Sequence, residues 1–164
     1  MAWTIIEPLP GVQRITDTST TASNEAGLGD IMRARDADYG VGEFIYLKGA
    51  ASTAVGSWVT YNLDDGGSAL LAANAIGPVA VAMSANIASQ YGWYCIQGKV
   101  PALALTAFAD NGNVYSTATA GSVDDAIVAG DRVKNAKGAS GVNETTLLAD
   151  FEIDRPFVDD ALSA

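Results

Sequence analysis

The chain has 164 residues, of which 19 are acidic and 9 basic, for a formal net charge of −10. It has no histidine and one cysteine, Cys95, which excludes Ser-His-Asp and Cys-His catalysis, a zinc or iron–sulfur site and an intrachain disulfide. The acidic balance argues against nucleic acid and anionic membrane surfaces, whose recognition needs basic side chains.

Residues 1–27 read as a head segment or N-terminal arm. Trp3, Ile5, Ile6, Leu9, Val12 and Ile15 are apolar, but Pro8, Pro10 and Gly11 prevent one long element. The tract Thr16 to Asn24 is small and polar and cannot fold alone. The segment is either a flexible terminus or an arm that orders against a partner, which would explain apolar side chains outside the body. The start Met1-Ala2-Trp3-Thr4 lacks the basic stretch of a secretory signal, and the expected setting is a reducing cytosol.

Residues 28–144 read as a β-rich body. Strand signals fall at Ile31–Arg35, Glu43–Lys48, Trp58–Leu63, Pro78–Met83, Trp93–Val100, Val114–Thr117 and Asp131–Lys134. Turn clusters punctuate them at Asp64-Asp65-Gly66-Gly67 and Asp110-Asn111-Gly112-Asn113. This spacing predicts an all-β barrel or sandwich of short antiparallel strands, not βαβ units. The alanine-rich stretches Ser68–Ala75 and Ala102–Ala109 allow at most two short helices. Pro101 is expected at an edge or bend.

Residues 145–164 read as a C-terminal strand and tail. Leu147, Ala149, Phe151 and Ile153 share one face of an extended strand, and Leu148, Asp150, Glu152 and Asp154 the other. Pro156 is expected to break the ladder before Phe157-Val158.

The candidate chemistry is sparse. Asp150, Glu152 and Asp154 repeat about 7 Å apart along a strand. They suit a Ca²⁺ site, a salt-bridge row toward a neighbouring chain, or a solvated face that deters edge pairing. The acidic pairs Asp64-Asp65 and Asp124-Asp125 do not fit a Ca²⁺ loop. Cys95, between Tyr94 and Ile96, lacks an electropositive neighbour and reads as inert. Phosphate-binding and nucleophile-elbow motifs are absent, and Asn143-Glu144-Thr145 matches a glycosylation acceptor only by chance. No catalytic, cofactor-binding or metal-binding residue is assigned. Trp58, Tyr61, Tyr91, Trp93 and Tyr94 fit a hydrophobic core, an oligomer interface or a sugar-binding platform.

Four phrases carry a resemblance: Gly42-Glu43-Phe44-Ile45-Tyr46-Leu47-Lys48-Gly49, Gly77-Pro78-Val79-Ala80-Val81-Ala82, Gln90-Tyr91-Gly92-Trp93-Tyr94 and Gly130-Asp131-Arg132-Val133-Lys134. Over roughly residues 28 to 158 the chain resembles the capsid decoration, or cement, proteins of tailed bacteriophages. The resemblance implies a β-rich, non-enzymatic homotrimer, assembled in the bacterial host cytoplasm and carried on the outer surface of the virion. There it would bind the major capsid protein and stabilise contacts between its subunits, with neither nucleic acid nor membrane as partner. The residues expected to reach that partner are Trp3, Ile5 and Ile6 in the head and Phe151, Ile153 and Phe157 in the tail, each of which equally suits the chain's own core. The alternative is a glycan- or receptor-binding β-module of a phage tail or adhesin, and the remotest reading is an enzyme working with carboxylates alone.

Overall fold

The computed structural model describes residues 1–7, 11–21 and 27–160. Eleven strands run in chain order: β1 (Thr4–Ile5), β2 (Ile31–Asp36), β3 (Gly40–Lys48), β4 (Trp58–Tyr61), β5 (Ser68–Leu70), β6 (Ile76–Ala82), β7 (Tyr91–Leu103), β8 (Asn113–Ser116), β9 (Val123–Asp124), β10 (Arg132–Gly138) and β11 (Leu148–Asp159). All pair antiparallel in one open sheet, with the main path β1-β2-β3-β7-β6-β11-β10-β8-β9 and the β4–β5 hairpin attached to β6. The all-β expectation holds.

There is no helix among the described residues. In the first alanine-rich stretch, β5 pairs Leu70 with Val59 and Ser68 with Tyr61. In the second, Ala102 and Leu103 finish β7 against Ala149 and Leu148. Alanine's helix preference is a few tenths of a kcal/mol per residue, and a helix this short does not repay its nucleation. Sheet pairing therefore wins.

The central strands bury both faces. Phe44 and Tyr46 of β3, Trp93 and Cys95 of β7, and Val79 and Val81 of β6 point into the larger core. Their alternates, Ile45, Leu47, Tyr94, Ile96, Ala80 and Ala82, enclose a smaller core with Val59. The sheet curls around this second cluster until Gly67, beside β5, bridges back to Lys48 of β3. Double burial is why these segments read as nearly continuous apolar runs. At the end of β3, Gly49 is required by packing, because a Cβ there would collide with the backbone carbonyls of Asn86 and Ile87.

The tail strand behaves as expected up to Ile153. Ala149, Phe151 and Ile153 are buried, while Leu147 lies outside the strand with φ 55°. Phe151 centres the larger core, with its ring 5.0 Å from those of both Trp58 and Phe108. Pro156 does not break the ladder. Lys134 pairs with Phe157 and Ala136 with Ile153, so one residue of β10 faces three of β11. This bulge houses Pro156, whose missing N–H would be costly in a regular ladder. Arg155 enters it at φ 48°, the inward parity changes to Pro156 and Val158, and pairing resumes with β6. Pro101 is accommodated within β7 because beyond Gln97 that strand has β11 as its single neighbour.

The described head is stitched to the body, a third outcome beside a flexible terminus and a partner-ordered arm. Trp3 packs edge-on against Phe44 with centroids 4.8 Å apart, and Ile15 is fully buried. Ser19 and Tyr91 exchange backbone hydrogen bonds of 2.9 and 2.8 Å. The Trp93 Nε1–H donates to the Gln13 carbonyl at 3.2 Å, and the Tyr46 hydroxyl donates to Gln13 Oε1 at 2.9 Å. Thr16–Thr21 belong to this stitched part, while Leu9 and Ala22–Asn24 lie outside the described residues.

Candidate functional site

The six proposed contact residues separate by burial. Trp3, Phe151 and Ile153 fill the chain's own core, and Ile5 is half-buried against it. Ile6 and Phe157 remain on the surface, 45% and 40% exposed. One face of the sheet joins them. Ile6 hydrogen-bonds to Arg33 through the backbone, and Arg33 lies opposite Glu43 in the register. Glu43 in turn holds Arg155 at 2.6 Å, two residues before Phe157. Beside Phe157 lie Pro78, its register partner, and Ile76, which is 69% exposed. The result is a band with apolar side chains at both ends and an Arg-Glu-Arg sequence across its middle.

Two carboxylates of the row are partnered within the chain, while Asp154 is in no ion pair among the described residues. Lys99 of β7 meets Asp150 at 3.1 Å, and Lys137 of β10 meets Glu152 at 3.4 Å. Cross-strand ion pairing explains the alternation without a metal. No group of three or more potential ligands (His, Cys, Asp or Glu) occurs among the described residues. The acidic pairs also find donors within the chain. Asp65 accepts the Gly67 N–H at 2.8 Å, and Asp125 accepts that of Ala109 at 3.0 Å.

Two other carboxylates are buried as fasteners. Asp131 accepts the Asn74 N–H at 2.6 Å and the Ser116 hydroxyl at 3.0 Å. Asp36 accepts N–H donors from Ala2 at 2.5 Å, Asp38 at 2.9 Å and Tyr39 at 3.3 Å. Burial opposes the Asp36 charge, but these donors outweigh it and hold its carboxyl below the ordinary value. Cys95 is fully buried, and desolvation pushes its thiol up to about 12. At neutral pH it carries no thiolate to act as a nucleophile.

The aromatic platform is not on the surface. Trp58, Trp93 and Tyr94 are fully buried. The Trp58 Nε1–H donates to the Leu103 carbonyl at 3.1 Å, and the Tyr94 hydroxyl receives the Asn86 amide at 3.0 Å. Tyr61 and Tyr91 are half-buried. Tyr61 lines a shallow groove of about 320 Å³ with Thr60, Asn62, Asp65 and Ile76.

The surface feature that sequence reading passes over is the loop Ala126-Ile127-Val128-Ala129. All four residues are exposed, Ile127 by 81%. The available signal was an uninterrupted apolar tetrad between Asp124-Asp125 and Gly130 with no strand period. The resemblance phrases lie mostly on the scaffold, on β3, β6 and β7 and at the start of β10, and reach the band only through Glu43 and Pro78. The chain matches no protein-family model, no curated protein and no solved structure.

Proposed function

We propose that this chain is a structural virion protein that binds the outer surface of a phage capsid, as a homotrimer, and stabilises contacts between major capsid subunits. Its product is contact, not chemistry. The observation that carries this reading is the exposed band from Ile6 to Phe157, which offers apolar side chains at both ends of a charged row. Exposed apolar residues on a well-packed β-body favour an interaction surface. The −10 charge suits the outside of a shell, because an inner face would meet packaged DNA. The buried Trp58 and Trp93 withdraw support from a glycan platform.

The test is cosedimentation of the purified protein with phage particles that lack it. Saturable binding that is lost in Ile6→Asp/Phe157→Asp, with the fold intact by circular dichroism, is expected. Absence of binding by the wild-type chain contradicts the proposal.

A further inference from the structure

Along β2 the side chains alternate strictly. Met32, Ala34 and Asp36 are buried, while Ile31, Arg33 and Arg35 stand on the exposed face. The head completes this face. Thr4 lies opposite Arg35 in the register, and the Ile6 N–H donates to the Arg33 carbonyl at 3.1 Å, which sets Ile6 across from Arg33. Ile31 and Ile6 are 47% and 45% exposed. Two arginines two residues apart on a strand project about 7 Å from each other. Here they do so between exposed isoleucines.

Neither arginine has an ion-pair partner among the described residues, although the chain carries 19 acidic residues against 9 basic ones. Lys99, Lys134, Lys137 and Arg155 each hold a carboxylate from another strand. Two acids stand beside Arg33, and both face other groups. Glu43, its register partner, holds Arg155 at 2.6 Å, and Glu7 accepts the Arg33 backbone N–H at 3.1 Å. A guanidinium takes a carboxylate through two parallel hydrogen bonds, and the pair strengthens where apolar neighbours exclude water. Phosphates of a nucleic acid are the competing anion, and they fit less well. A chain of net charge −10 repels a polyanion, and a phosphate backbone has nothing to set against Ile6 and Ile31. An acidic protein segment with apolar residues satisfies both requirements.

We infer that the exposed face of β2 receives an extended acidic segment of the partner protein. Carboxylates at alternate positions of such a segment repeat about 7 Å apart, the spacing of Arg33 and Arg35. Its apolar residues cover Ile6 and Ile31. The inference rests on the capsid reading and adds to it the chemistry of the capsid face, which is acidic where it meets β2. Arg35 and Ile31 thereby join the contact band.

The experiment is cosedimentation with phage particles that lack the chain, across a salt series. Arg33→Gln/Arg35→Gln is expected to bind about tenfold more weakly than the wild type at low salt, the scale of losing charge-assisted contacts. Salt is expected to weaken the wild type steeply and the variant little, because the charges it screens are already gone. Arg132→Gln, which removes an exposed arginine of β10, is expected to bind as the wild type does. If the Gln pair binds as tightly as the wild type with the same salt dependence, or Arg132→Gln loses as much, the inference is overturned and the capsid reading stands. If the wild type does not bind, both fall. Duplex DNA that binds the wild type and not the Gln pair also overturns the inference, by giving the face to phosphate. Circular dichroism confirms folding. Should the pair fail to fold, Arg35→Gln alone carries the same comparison.

Discussion

Asp36 shows how a single side chain fastens the head to the body. Its carboxylate closes the β2–β3 turn through Asp38 and Tyr39 and holds Ala2 from the first turn of the chain. Asp36→Asn is expected to cost roughly 1–3 kcal/mol at neutral pH, the usual scale for weakening charged hydrogen bonds to buried donors. The pH dependence has a definite sign. The folded carboxyl lies below the ordinary value of an aspartate, so its stabilisation is present above that value. It is lost as pH falls through the folded value. Urea titrations should show the wild-type advantage at pH 7 and none at the acid end of that window. An advantage independent of pH would mean that the charge is not what holds the turn.

At the scale of elements, the bulge in β11 divides residues that look equivalent in sequence. Phe151 and Phe157 both belong to the strand, but three residues of β11 opposite one of β10 reverse the facing between them. Phe151→Ala is expected to cost about 3–5 kcal/mol, because its ring contacts Trp58 and Phe108 and leaves a cavity. Phe157→Ala is expected to cost roughly 1 kcal/mol, since much of its ring is already in water. Equal shifts of the two denaturation midpoints would contradict the assigned facing. The alternation from Ala149 to Ile153 was legible in the sequence, as were β3, β6 and β7, because burial imposes a period or a continuous apolar run. The bulge was not, because nothing local marks Arg155 for a positive φ; the register of Lys134 with Phe157 demands it. The helices expected from alanine failed for the same reason, since long-range pairing outweighs a weak local preference. Contact residues were legible as apolar positions but not as exposed ones. Trp3 and Ile153 went inward with the strands that carry them, and the exposed Ile127 had no periodic pattern to announce it.

For the whole molecule, the described part of the head is a structural part of the β-body. Deleting residues 1–7 removes β1 and the Trp3 ring from the core, and a loss of about 3–5 kcal/mol, on the scale of removing one buried Trp, is expected in urea unfolding. An unchanged midpoint would return the head to the role of a free arm. Point changes at Ile6 and Phe157 therefore test contact more cleanly than truncation does. The fold presents one candidate contact surface, the band from Ile6 to Phe157. That band is what the capsid proposal rests on. The most direct measurement is the copy number of this chain in purified phage particles, by quantitative gel staining against the major capsid protein. The expected result is a fixed ratio with many copies per particle, reduced by Ile6→Asp/Phe157→Asp. Particles that contain none of it, or a handful of copies at no fixed ratio, would contradict the account.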